Sequence, residues 1–566
     1  MLDDMKRRQF LGLTVMGTAS AAVGHTRDSA LLNEKGNTGD ATLLKADLVI
    51  AGGGLGGVAA ALSALRNGMT VILTEETDWI GGQLTSQGVP PDEHPWIETH
   101  GAPASYRKLR EGIRDYYRHH YPLTLEAAAR PHLNPGDGAV SRLCHEPRVA
   151  LAVMMSMLAP WISNGKLRLL TEHRPVSAEM SGDRVLSLTV RDTRNNVKRT
   201  LSAPLFVDAT ELGDLLPLTG AEYVTGAESK SQTGELHASA QADWTNQQAF
   251  TMCFAMDYVP GADHVIARPE DYSFWRDHVP DLRPAWPGRL LDLTYMHPST
   301  LKPKVLGFHP EGIPTGDTLN LWNYRRIIHR KNFVEGHFSG DTSIVNWPQN
   351  DYMLGHLIDV SEKMFQRHVH AARQLSLSLL YWLQTEAPRP DGGIGWRGLR
   401  LRPDIMGTTD GLAKYPYVRE SRRIKALYTI REQDCGKEQS GGSAAIYPDS
   451  VGVGYYHIDL HPSSRGNNYI DFPSLPFQIP MGALIPVRVQ NLLPANKNIG
   501  TTHVTNGCYR LHPVEWSIGE AVGCLCAFAS AKNKLPFEVR QDSLILKDFQ
   551  HFLRSQGIET SWPEKS

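Results

Sequence analysis

The 566-residue sequence has almost no net charge, with 58 Lys and Arg against 60 Asp and Glu, or −2 at neutral pH. That balance removes the electrostatic footprint of a nucleic-acid binder. No block of five like charges makes a basic arm or an acidic tail. Cysteine is scarce: Cys144, Cys253, Cys435, Cys508, Cys524 and Cys526 are the whole set, and no two are spaced C-x-x-C. Zinc-ribbon, thioredoxin-like, haem-attachment and iron–sulfur readings therefore fail. The count predicts buried free thiols rather than a disulfide framework. No run reaches the roughly 18 apolar residues that mark a membrane-spanning helix, so no stable membrane anchor is expected. Internal repeats and low-complexity tracts are also missing. What is present is ordinary globular text, 41% hydrophobic and 21% charged, long enough for about three domains.

The start of the chain stands apart. Lys6-Arg7-Arg8-Gln9-Phe10-Leu11-Gly12 leads into an apolar stretch of about 13 residues, too short to span hydrocarbon as a helix. Ala19-Ser20-Ala21 has the small-residue pattern that signal peptidase accepts. The string resembles a twin-arginine export signal, with Lys6 where Ser or Thr is usual and Gly12 where Lys is usual. Residues 1–24 are read as that signal and the polar residues 25–43 as a linker. The mature protein is expected in the periplasm or outside the cell, delivered by the twin-arginine export machinery.

From residue 44 the pattern changes. Ala46-Asp47-Leu48-Val49-Ile50-Ala51 reads as a strand buried on both faces. It runs into Gly52-Gly53-Gly54-Leu55-Gly56-Gly57 and an Ala-rich helix over 58–66, which Asn67-Gly68 ends. A second strand follows at 70–74, with Glu75 at its end. This is a complete βαβ unit, and Gly52, Gly54 and Gly57 place G-x-G-x-x-G between strand and helix, the context that motif needs. Gly52 permits the tight turn, Gly54 lets backbone approach a pyrophosphate, and Gly57 allows close helix–strand packing. Leu55 and Gly56 complete the loop at the helix N-terminus, whose free N–H groups and partial positive charge suit phosphates. Glu75 is positioned to accept from an adenosine ribose.

Further along, a helix is expected over 146–159, closed by Pro160, and strands over 166–170, 185–191 and 200–207. A middle segment, 240–470, is richer in Trp, Tyr, His and Pro and carries one long helix candidate over 356–385. From 485 to 531 strand, glycine turn and Ala-rich helix return. The expected fold is α/β with an α+β insertion. A Rossmann-like dinucleotide domain (44–239 and 471–535) is interrupted by a substrate or cap domain (240–470), and 536–566 forms a C-terminal tail.

Three segments narrow the dinucleotide: Gly81-Gly82-Gln83, Val207-Asp208-Ala209-Thr210-Glu211, and the stretch from Asn491 through Gly523. With these the chain resembles the glutathione-reductase-type flavoproteins. More specifically it resembles the bacterial FAD-dependent oxidoreductases related to the flavin subunits of fumarate reductase and heterodisulfide reductase. It departs at Glu211, where Gly is usual. The resemblance implies extended FAD with Gly52–Gly57 on the pyrophosphate, Glu75 on the ribose and Val176 near the adenine. It also implies Gly81, Gly82 and Gln83 near the ribityl chain or flavin, with Asp208, Ala209, Thr210 and Asn506 around the cofactor. A helix starting near Pro513, with Val514 in its first turn, would point at the flavin pyrimidine.

For the chemistry, His503 is the first candidate to accept a proton, beside the flavin by that resemblance and titrating near neutrality. His457 and His461, which flank Asp459, are the alternatives, and Arg510 can bind the pyrimidine edge or the substrate. Arg419, Arg422, Tyr324 and His461 are candidate substrate contacts, since guanidinium groups hold carboxylates or hydroxyls and aromatic rings stack. A metal site is not expected, because His457 and His461 are four apart on a strand-like segment rather than a helix. The leading expectation is an exported dehydrogenase or oxidase that takes hydride from a polar, sugar-like small molecule to flavin N5. Its electron acceptor is left open among O2, a quinone and a cytochrome. Reduction of an activated C=C bond and a flavin-bearing electron-transfer partner are the alternatives.

Overall fold

A computed structural model describes residues 42–313 and 315–563; the export-signal reading of residues 1–24 lies outside them. Five short strands, β1 (Leu48–Ala51), β2 (Val71–Glu75), β3 (Leu167–Thr171), β4 (Leu205–Asp208) and β5 (Leu492–Pro494), form one parallel sheet in the order β5-β4-β1-β2-β3. Leu48 pairs with Val71 on one side and with Leu205 on the other. Every residue of β1, β2 and β4 is buried, so these strands read as continuous apolar runs. The last strand pairs with one far back in the chain, Leu492 standing beside Phe206, 286 residues earlier.

Helix α1 (Leu55–Arg66) starts three residues earlier than its alanines suggest, because the loop glycines Gly56 and Gly57 are already helical. Its partner is α4 (His512–Ala531), and the two meet through glycine. A Cβ on Gly519 would lie 2.0 Å from the Gly56 carbonyl oxygen, and one on Gly523 would lie 2.2 Å from that of Ala60. Small residues let the backbones touch, which carries the C-terminal segment onto the first glycine loop.

A second sheet runs Thr42–Lys45, Lys198–Ser202, Arg184–Asp192, His173–Ser181. Its edge strand begins at Thr42, two residues inside the segment read as linker. The single strand expected over 200–207 is two strands in different sheets, because Ala203-Pro204 interrupts it and proline cannot donate to a ladder. The helix expected to stop at Pro160 runs Pro147–Ser163. One missing N–H does not end it, and Asn164 closes the last turn by donating to the Pro160 carbonyl at 3.1 Å.

The middle segment holds an antiparallel sheet, Arg326–Ile328, Thr342–Val345, Phe254–Tyr258, Leu399–Leu401, and helix α2 (Glu362–Thr385). This helix starts six residues after the expected 356, where the Ser361 hydroxyl accepts the Met364 N–H at 3.3 Å; Asp359, at φ +57°, prevents an earlier start. Residues 536–563, read as a tail, contain helices Pro536–Gln541 and Ser543–Ser555 with Phe549 and Leu553 fully buried. Phe549 packs on Phe528 of α4 with ring centroids 5.2 Å apart. No helix of the described residues is long and apolar enough to cross a membrane. All six cysteines are buried and free.

Candidate active site

A narrow cleft opens where β1 meets α1, lined by Gly52, Gly54, Glu75, Gly82, Ala209 and Thr210 among others. Gly52 has φ +96°, and a Cβ there would sit 2.2 Å from the Ala209 carbonyl oxygen. Across the cleft, a Cβ on Gly82 would come within 3.0 Å of Gly54 Cα. Glycine lets these backbone segments approach one another, and the Glu211 side chain reaches into the space beside Gly54 and Gly82. Gly57 closes the turn against the Gly52 carbonyl, and Gly56 faces the Ala495 carbonyl rather than the cleft. Leu55 is core, and Gly81, at φ +105°, donates to the Gly53 carbonyl at 2.7 Å.

Glu75 accepts the Gly53 N–H at 2.9 Å with one oxygen and the Thr77 N–H at 2.9 Å with the other. Burial pushes its pKa up to about 7, with these hydrogen bonds in partial opposition. Val176 lines an outer extension of the cleft that shares Glu76, Asp214 and Tyr415 with it. Asp208 sits behind the cleft. Its carboxylate accepts from the Thr210 N–H at 3.0 Å and the Leu215 N–H at 3.0 Å, holding the turn that presents Ala209 and Thr210.

At the inner end stand Glu515 and Lys497, which the sequence does not single out, beside Gln83, which it does. Glu515, in the first turn of α4, accepts the Gly56 N–H at 3.2 Å. Gln83 donates to Glu515 and, at 3.0 Å, to the Arg510 carbonyl. Lys497 is buried, paired with Glu211 and 3.9 Å from Glu515. Burial disfavours its ammonium, but the two carboxylates outweigh that and raise its pKa. Burial also lifts Glu515 to about 7, with Lys497 working against the rise and Glu211 adding to it. Glu211, the departure from the usual Gly, thus comes with its own counter-charge. Val514, in the same turn as Glu515, packs its side chain against Gly454, while the Glu515 carboxylate reaches Gly54.

Beyond Arg510 lies a separate cavity of about 200 Å³. Tyr324, Arg419, His457, His461 and Arg510 all line it, whereas His503 and Arg422 do not. His503 opens helix α3 (His503–Tyr509) instead of lying in a turn; its Nδ1 pairs with Glu420 and its N–H donates to Glu228 at 2.8 Å. Asn506, one turn later, donates to the Arg419 carbonyl at 2.7 Å, so it positions the cavity wall rather than lining the cleft. Arg422 is committed to Asp359 at 2.9 Å and the Leu212 carbonyl at 2.9 Å, and lines the outer cleft.

The spacing argument about the two histidines is overturned. They flank the strand Ile458–Leu460, where a period of two puts His457, Asp459 and His461 on one face; all three line the cavity. Each histidine pairs with a carboxylate: His457 Nδ1 with Asp471 at 3.2 Å, His461 Nδ1 with Asp351 at 2.6 Å. Burial disfavours protonated His457, but Asp471 and Asp459 outweigh it and raise its pKa. Asp459, half-buried beside His461, Arg510 and His457, is held well below the usual carboxylate range, because the pull of these neighbours outweighs the desolvation that would raise it.

A profile described as FAD dependent oxidoreductase matches residues 47–553. The chain belongs to the FAD-dependent oxidoreductase family. No curated protein matches it. Among solved structures it is similar to the FrdA chain of E. coli quinol fumarate reductase, at 11% identity over 91% of this chain and 74% of that one, TM-score 0.30. It is similar to the OxyS anhydrotetracycline hydroxylase from Streptomyces rimosus at 10% identity over 90% and 66%, TM-score 0.33. It also matches the myxobacterial chondrochloren halogenase CndH at 15% identity over 39% of this chain, TM-score 0.21, and spans only 45% of that halogenase. The family assignment rests on the profile alone.

The residues of this FAD-dependent oxidoreductase fit the cofactor. Gly52, Gly54 and Gly82 expose backbone where the diphosphate would lie, Glu75 would face the ribose, and Ala209 and Thr210 would form the wall; the Glu211 carboxylate, whose Oε1 stands 2.6 Å from a Cβ built on Gly82, would have to turn away toward Lys497. The mixed α/β fold with its parallel sheet is the one expected. Lys497, Glu515, Asp92 and Tyr469 were not legible as site residues. Glu515 is placed by the α1–α4 contact, Lys497 by the pairing of β5 with β4, and Asp92 and Tyr469 by a cavity whose walls come from distant parts of the chain.

Proposed function

We propose that this flavoenzyme is an exported dehydrogenase or oxidase that removes hydride from a hydroxyl-bearing carbon of a sugar-like molecule held in the 200 Å³ cavity. The observation that carries the reading is the convergence on that cavity of Arg419, Arg510 and Tyr324 with His457 and its Asp471 partner. Arg510 also contacts the cleft segment through Gln83.

Bound FAD supplies the two-electron acceptor for the hydride. His457 takes the hydroxyl proton while Asp471 orients its ring, leaving a carbonyl product. Arg419 and Arg510, each tied to a carboxylate, fix the substrate hydroxyls as donors. Tyr324 and its neighbours keep water from the reacting carbon. His503 lies outside the cavity and serves as a support held by Glu420.

Stopped-flow flavin reduction with a polyol that bleaches the wild type tests the assignment. Loss in His457→Gln, with a smaller change in His503→Ala, supports it; the reverse order removes His457 from the mechanism. Export rests on Arg7-Arg8 and the apolar stretch behind them. Replacing both arginines with lysine should strand the protein in the cytoplasm, and undisturbed periplasmic accumulation would refute the signal.

A further inference from the structure

The charged side chains around the cavity are unequally satisfied. Arg419 pairs with Asp351 at 3.0 Å and also donates to the Ala249 carbonyl at 2.7 Å. Arg510 pairs with Asp459 at 3.0 Å and donates to the Tyr417 hydroxyl at 3.2 Å. Arg325 differs. It comes no nearer than 3.4 Å to Asp92 and reaches the Pro90 carbonyl only at 3.4 Å, while its Nε, like those of Arg419 and Arg510, has no partner among the described residues. Contacts that long are poor hydrogen bonds. The residue is 7% exposed, and a buried guanidinium is costly until a carboxylate completes its hydrogen bonds. It lies over the Tyr324 ring, 5.1 Å from its centroid.

Two more groups on the same wall have donors to spare. Asn346 Nδ2 and the Tyr469 hydroxyl are buried without partners among the described residues. The remaining lining is rich in ring faces, with Tyr295, Trp347, Tyr417 and Tyr456 beside the two tyrosines already named. Such faces pack on the C–H faces of a saturated ring, while the polar groups between them meet its hydroxyls.

We propose that Arg325 grips a carboxylate and that the substrate is a cyclic hydroxy acid, a sugar acid rather than a neutral sugar. The proposal rests on the dehydrogenase reading above and adds the substrate class to it. Asp351, Asp459 and Asp471 are each engaged by better-placed cations, so the acid group enters opposite the one guanidinium whose pairing is loose. The ring then lies among the tyrosines with its hydroxyls toward Asn346 and His457.

The test is calorimetric titration of the FAD-loaded enzyme with hexuronic acids, the parent hexoses and hexose 6-phosphates, alongside anaerobic bleaching by the same compounds. The acid should bind at least tenfold tighter than its neutral parent. That ratio should fall toward one in Arg325→Gln and be partly kept in Arg325→Lys. Should Arg325→Gln fail to hold flavin, the wild-type ratio decides alone. Equal binding of acid and neutral sugar, or preference for the phosphate, overturns the sugar-acid assignment while bleaching by the neutral sugar leaves the dehydrogenase reading standing. Absence of both binding and bleaching with every sugar overturns the two together.

Discussion

Gln83 donates its amide hydrogen to the Arg510 carbonyl oxygen at 3.0 Å. The bond ties the segment beside Gly82, which lines the cofactor cleft, to the residue that walls the substrate cavity. Gln83→Leu should therefore weaken cofactor binding and slow reduction together. Losing a buried hydrogen bond of this kind costs about 1 kcal/mol or more, about a fivefold or larger rise in the dissociation constant for FAD. Flavin-fluorescence titration and stopped-flow reduction of one preparation check both effects.

Gly52 holds φ +96° with the Ala209 carbonyl where a Cβ would be. Gly52→Ala is expected to lose about 2 kcal/mol or more from strain and overlap and to purify with little flavin. Thermal unfolding and the flavin-to-protein absorbance ratio measure these outcomes.

His457 has its pKa raised above the ordinary imidazole value, so near neutral pH a fraction of it is protonated and unable to accept a proton. The reductive rate should climb as pH rises through a midpoint above 6.5 and then level off. His457→Gln should remove that limb and lower the rate about 10²–10⁴-fold. A pH series of single-turnover reductions gives both results.

Asp208 titrates at about 7 in the folded chain against 3.8 for an ordinary aspartate, chiefly through burial. The folded form keeps a proton that the unfolded chain has already released. The stabilisation is complete below pH 3.8 and is lost as pH rises to about 7. Asp208→Asn cannot titrate, and its deficit in melting temperature relative to wild type should shrink between about pH 5 and 7 and stay constant above. Paired melting curves across that range show whether it does.

The glycine cradle was legible because a turn pressed against the Ala209 carbonyl admits no side chain, and that constraint falls on consecutive residues. Glu75 was legible for the same local reason. Glu515 was not, since its place at the cleft depends on α4 touching α1 across more than 450 residues, and Lys497 was not, since strand β5 beside β4 is what brings it to Glu211. His457 and His461 were found but judged by a helical criterion; on a strand their spacing brings them together. His503 was chosen from its motif neighbourhood, whereas the helix it opens directs its Nδ1 toward Glu420. The boundaries that shifted, at Asp359, Pro160 and Pro204, are places where one backbone feature decided against the hydrophobic pattern.

The central claim is that FAD in the glycine cleft takes electrons from a hydroxylated molecule in the neighbouring cavity. An anaerobic absorbance titration of the purified protein with pooled sugars, polyols and hydroxy acids tests it most directly. The account predicts a flavin band that bleaches with one pool and not in His457→Gln. A protein without flavin, or one whose flavin stays oxidised with every pool and is reoxidised by activated alkenes after chemical reduction, would contradict it.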